Sequence, residues 1–132
     1  MSAEQFADVV RRGYHGFNTA DGDLLTQVFD PNSTWETPGK SPIAGLRTGR
    51  DNVFAHFGGT YGKDTDGTFK AELQYVAADA SGRVVGVHRN TGKRKGRTLD
   101  TMCCIVFQVK DGRIVSGKEH FFDLYNWDAF WA

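Results

Sequence analysis

From Ala3 to Asn18 the apolar residues Phe6, Val9, Val10, Tyr14 and Phe17 return at steps of three and four, the spacing that lines one face of a helix. Ser2 stands where an N-cap belongs. The run "NTADGD" breaks this helix with Gly and Asp, and "DLLTQVF" predicts a short second one that stops before Pro31. "STWET" reads as a strand, whereas "PGKSPIAG", with two prolines and two glycines, reads as a loop. Val53, Phe54 and Phe57 then mark the inner side of a third helix from about Arg50 to Tyr61.

After Gly67 the pattern changes to four β-rich runs, "TFKAELQYVAAD", "RVVGVHRN", "RTLDTMCCIVFQVK" and "RIVSGKEHFFD". "DASGR" and "KDGR" are hairpin-sized turns and "TGKRKG" a longer polar one, so consecutive strands are expected to pair antiparallel. Helices followed by a meandering sheet predict an α+β fold, one domain over residues 1–132, with the helices on one sheet face. The aromatic tail "LYNWDAFWA" reads as a last short helix.

Charge narrows the partner. Sixteen basic residues balance sixteen acidic ones, which gives no field favouring nucleic acid or an anionic membrane and points to a small, nearly neutral partner. Arg89, Lys93, Arg94, Lys95 and Arg97 crowd one stretch without interleaved aromatics, as a solvated hairpin tip does and a base-stacking surface does not. Ten phenylalanines, four tyrosines and three tryptophans suffice to line a cavity or to fill a core. Cys103 and Cys104 are neighbours whose side chains leave a strand on opposite faces, so no bridge joins them; both are read as reduced, which fits a cytoplasmic protein. The start "MSAEQFADVV" lacks the basic and apolar regions of a signal peptide, and no long apolar run suggests a membrane span. "GLRTGRDN" and "HFGGTYG" lack nucleotide-binding glycine spacing, and no His, Cys or Asp spacing matches a metal site, so chemistry without metal or cofactor is expected.

Strand alternation places His88 and Asn90 on one face with Val84 and Gly86, Asp100 with Met102 and Cys104, and His120 with Lys118 and Phe122. If the sheet curves these faces toward the helices, two histidines, an amide and a carboxylate share one cavity, where leaving them unpaired costs on the order of several kcal/mol. Histidine exchanges protons near neutral pH, so His120 is the expected acid–base residue and His88 its partner or an oxyanion donor. Asp100 would orient a histidine, and Tyr14 and Asn90 would donate hydrogen bonds. Trp35, Thr37, Asn90, Met102 and Phe122 are the expected substrate-binding wall. The plain alternatives are that each histidine satisfies a polar interior, that Asp100 pairs with Arg97 or Lys118, and that Met102 and Phe122 are core packing. His15 and His56 lie on helices away from these groups.

The chain resembles the nuclear transport factor two-like or ketosteroid isomerase-like domains, and within them the SnoaL-like proteins. "TWETPGKSPIAGLRTGRDNVFAHF" is similar to the family's strand, Pro-Gly loop and third helix; "GRTLDTMCCIVFQVKDGRIVSGKEHFFD" to its last two strands; "DLYNWDAFW" to its tail. The resemblance implies a curved antiparallel sheet wrapped around three N-terminal helices, a cone holding an apolar pocket, the cystatin-like α+β roll. It also implies a homodimer. Tyr14 falls near the position of the steroid isomerases' oxyanion-stabilising tyrosine, but Thr37 precedes Pro38 where those enzymes place an aspartate. The epoxide hydrolases' Arg and two Asp fall on His88, Asn90 and His120, without their carboxylates. The pattern of two histidines, tyrosine and a carboxylate is nearest to scytalone dehydratase and to cyclases. Two functions follow: an acid–base enzyme (dehydratase, isomerase or cyclase) acting on a small hydrophobic carbonyl or hydroxyl compound, or a non-catalytic ligand-binding or dimeric scaffold domain.

Overall fold

The computed structural model describes all residues from Met1 to Ala132. Helix α1 (Ala3–Asn18) opens on a capping box, in which the Gln5 amide N–H donates to Ser2 Oγ and the Ser2 N–H donates to Gln5 Oε1. Its apolar stripe buries Phe6, Val9, Val10 and Tyr14 against the sheet. At its far end the Asn18 side chain accepts from the Ala71 N–H and donates to the Ala71 carbonyl, which fixes the helix to strand β3. Helix α2 (Gly22–Val28) is capped by Asp21 and runs directly into β1 (Phe29–Thr37).

Six strands form one sheet in the order β2-β1-β6-β5-β4-β3, with β2 at Gly45–Thr48, β3 at Lys70–Ala78, β4 at Arg83–Arg94, β5 at Arg97–Lys110 and β6 at Arg113–Phe121. The consecutive strands from β3 to β6 pair antiparallel, as expected, while β1 and β6 pair parallel, so the sheet is mixed. Register shifts in β1, β3 and along the β5–β6 pair bend it around the helices. The α+β architecture with helices on one face is therefore as expected.

Three details depart from the sequence reading. A short exposed edge strand, β2, lies where loop was expected to run into helix. "TGKRKG" is mostly strand: β4 and β5 continue to Arg94 and from Arg97, leaving Lys95 and Gly96, both with positive φ, as a two-residue hairpin turn. The third helix is α-helical only over Arg50–Phe54 (α3) and winds as a π-helix over Ala55–Gly62. Residues five apart diverge by about 140° on an α-helix at 100° per residue. The wider winding instead brings the His56 and Tyr61 rings to 4.4 Å, both buried.

Helix α4 (Leu124–Trp131) folds back on the sheet, with Trp127 stacked at 3.8 Å on Phe121 and Trp131 beside Tyr61. Asp128 accepts from the backbone N–H groups of Lys40 and Ser41, and Arg94 and Arg97 donate to the Phe130 and Ala132 carbonyls. No helix is long and apolar enough to cross a membrane.

Candidate functional site

Between the helices and the concave sheet face lies a narrow apolar cavity, about 440 Å³ of unfilled space counted with its open side. Phe17, Phe29, Phe57, Phe69 and Phe107 are among the twelve hydrophobic residues of its sixteen-residue wall, and the polar groups among its lining residues fall into two clusters.

The first cluster joins α1 to β4. The Tyr14 hydroxyl lies 2.7 Å from His88 Nδ1, and His88 Nε2 lies 3.0 Å from Asn90 Oδ1. Asn90 Nδ2 donates to the Lys70 carbonyl, which turns Oδ1 toward His88. The imidazole therefore donates from Nε2 and accepts from Tyr14 at Nδ1, leaving the phenolic oxygen lone pairs free for the cavity. Burial lowers the His88 pKa from 6.5 to about 4, so the ring is neutral at neutral pH, and burial likewise raises the Tyr14 pKa. Gly86 makes this approach possible: a Cβ there would sit 2.8 Å from the Tyr14 hydroxyl.

The second cluster centres on Glu119 of β6, which is 2% exposed. Trp35 Nε1, the Thr37 hydroxyl and the Tyr61 hydroxyl all donate to its Oε1, at 3.0, 2.6 and 2.6 Å. No protein hydrogen bond reaches Oε2, and Glu119 is among the residues that line the cavity. Removal from water raises the Glu119 pKa against the lowering effect of these three donors and of the Arg47 charge. Behind it, His56 Nε2 lies 3.0 Å from the Thr37 hydroxyl. Gly117 admits the Trp35 indole directly against the backbone of β6.

Of the residues expected at the site, Tyr14, His88, Asn90, Trp35 and Thr37 are buried on the concave side, all but Thr37 among the cavity-lining residues. Four are not brought there. His120 is exposed on the convex face, opposite Cys104. Asp100 is exposed and held by Arg89 at 2.8 and 2.6 Å, which lowers its pKa; its partner is neither a histidine nor the Arg97 or Lys118 considered above. Met102 stands on the same convex face, and Phe122 is 65% exposed. The reason is strand phase. The inward set of β5 is Leu99, Thr101, Cys103, Ile105, Phe107 and Val109. Where Gln108 pairs with Ser116 but Val109 with Ile114, an extra β6 residue shifts the phase, and Gly117 and Glu119 turn inward instead of Lys118 and His120. Glu119 was thus missed for its neighbour. The strict apolar alternation of Leu99, Ile105, Phe107 and Val109 carried the signal for β5, and pairing from it across the turn would have exposed the shift.

Known proteins agree with this architecture. The model of the SnoaL-like domain matches residues 10–117. An uncharacterised protein of Mycobacterium tuberculosis is 36% identical over 132 residues, the whole of both chains. The structure of Bal32a, from a soil-derived mobile gene cassette, is 55% identical over 98% of each chain with a TM-score of 0.96. TerC, co-crystallised with polyporic acid, shares the fold at 17% identity, covering 96% of this chain and 97% of its own with a TM-score of 0.81. The curved sheet, the helices enclosing its concave face and the family match over most of the chain lead to one assignment: this protein belongs to the SnoaL-like domain family.

Proposed function

We propose that the protein is an acid–base enzyme for a small, largely apolar hydroxy or carbonyl compound, with Glu119 as the proton-transferring group. The observation that carries this is a buried carboxyl among the lining residues of an apolar cavity, with one oxygen held by three donors and the other without a protein partner. Such a group is oriented, is kept off the ordinary carboxylate pKa, and has no cation paired with it to neutralise it. Glu119 Oε2 takes a proton from carbon beside a substrate carbonyl, and the C–H electron pair moves into an enolate. Returning the proton to another atom gives isomerisation, expelling a β-hydroxyl gives dehydration, and attack on a second carbonyl gives ring closure. Tyr14, aligned by His88 and Asn90, accepts a hydrogen bond from a substrate hydroxyl or enol, and Trp35 forms the wall beside the base. Polyporic acid in TerC, a small molecule bound to this fold, is consistent with a ligand of this class.

The test is a hydroxy-carbonyl substrate screen with Glu119→Gln and His120→Ala in parallel. Glu119→Gln is expected to lose about 10²- to 10⁴-fold in turnover and His120→Ala to retain it; full turnover by Glu119→Gln would sink the assignment. We propose also that the protein is a homodimer through its convex face. There Val85 pairs with Val106 in adjacent strands, with Met102 and Cys104 alongside, all four partly exposed. Sedimentation of a monomer at micromolar concentration would refute it.

A further inference from the structure

We propose that Thr37 and His56 form a proton path between Glu119 and a surface depression at the β2 edge, separate from the cavity's open side. This rests on the reading of Glu119 as a group that exchanges protons. Thr37 and Tyr61 each own one hydroxyl proton, and both give it to Glu119 Oε1 at 2.6 Å. With both hydroxyl protons on Oε1, the 3.2 Å contact between the Thr37 and Tyr61 oxygens carries none, and the proton between Thr37 and His56, 3.0 Å apart, is assigned to His56 Nε2. The chain of donors runs one way, from imidazole to hydroxyl to carboxylate.

The outer end of the chain points to exchange with water. His56 is 3% exposed and its Nδ1 is buried without a partner, although a phenylalanine would fill the same place without an orphaned nitrogen. His56 also lines a polar depression together with Arg47, Thr48, Asn52 and Thr60; Nδ1 itself is sealed, so the path requires a local opening on that side to admit a water. The charged and titratable groups around the ring are Arg47 of β2, Tyr61 of the π-helical segment and Glu119 of β6. Burial first and the Arg47 charge second lower the His56 pKa to about 3, so it passes protons without storing one as imidazolium.

The transfer balances with water as co-reactant. A hydronium in the depression gives its proton to Nδ1, Nε2–H breaks as a new Thr37 O–H forms, and the old Thr37 O–H breaks as Glu119 O–H forms. The reverse sequence discharges the carboxyl. A substrate that fills the cavity and blocks its open side leaves this path free.

The experiment is 13C NMR of protein labelled at glutamate Cδ, with the Glu119 signal identified by its loss in Glu119→Gln and the cavity filled with benzene as a probe that offers no acidic proton. At the Glu119 titration midpoint the wild type is expected to give one averaged signal. His56→Gln keeps a donor to Thr37 but cannot pass a proton between two ring nitrogens. It is expected to slow exchange by about tenfold or more at a similar midpoint, seen as broadening or splitting. His56→Ala should behave alike, and added imidazole should restore the averaged signal. Unchanged exchange in both variants overturns the path while leaving the titration of Glu119 intact. A Glu119 signal that does not move with pH overturns both the path and the acid–base reading.

Discussion

Glu119 concentrates the tension between stability and chemistry in a single residue. Burial raises its folded-state pKa above the ordinary 4.5, so below that value both folded and unfolded states hold the proton and nothing is lost. As pH rises through and beyond 4.5 the unfolded chain ionises first, and the fold loses the corresponding stability until its own carboxyl ionises. Glu119→Gln keeps an oxygen for Trp35, Thr37 and Tyr61 but cannot ionise. Urea unfolding is therefore expected to show the variant gaining on the wild type as pH rises from 4.5 to neutral; a gap independent of pH would contradict the raised pKa. Single residues were legible in the sequence only where strand phase was. His88 and Asn90 were placed correctly because β4 alternates without interruption up to its tip, whereas one inserted residue beside Ser116 exchanged His120 for Glu119.

At the level of elements, the two polar clusters exist because backbone and aromatic side chain meet closely at two strand glycines. Gly86 receives Tyr14 and Gly117 receives Trp35. Gly86→Ala is expected to push the Tyr14 hydroxyl off His88 Nδ1, leaving a buried acceptor unpaired at a cost of roughly 1–3 kcal/mol. Urea unfolding measures the loss and the His88 15N shifts report the broken bond; a variant with wild-type stability and shifts would refute the geometry. Helix α1 was readable from its apolar period, the short α2 from the breakers on either side of it, and the four late strands from β-rich runs between Gly-containing turns. The π-helical winding was not, since "AHFGGTYG" carries no apolar period that separates it from an α-helix, and it is this winding that brings His56 and Tyr61 together behind Glu119. Edge strand β2 was hidden for a related reason: three of its four residues are exposed and none is buried, so no face leaves a pattern.

For the whole molecule, the fold class followed from the order of helical and β-rich segments, and the family resemblance from the same order with the tail. The site did not follow, because a cavity is made by residues distant in sequence. Tyr14 and His88 are 74 residues apart and Trp35 and Glu119 are 84. What the sheet's curvature accomplishes is to hold a carboxyl and a tyrosine–histidine pair on one apolar space while the other candidate acid–base groups, His120 and Asp100, stay in solvent on the convex side. The most direct test is the pH titration of the Glu119 Cδ resonance in the free protein. The account predicts a midpoint above 4.5 that shifts when a hydroxy-carbonyl ligand fills the cavity; a midpoint at or below 4.5, indifferent to ligand, would contradict it.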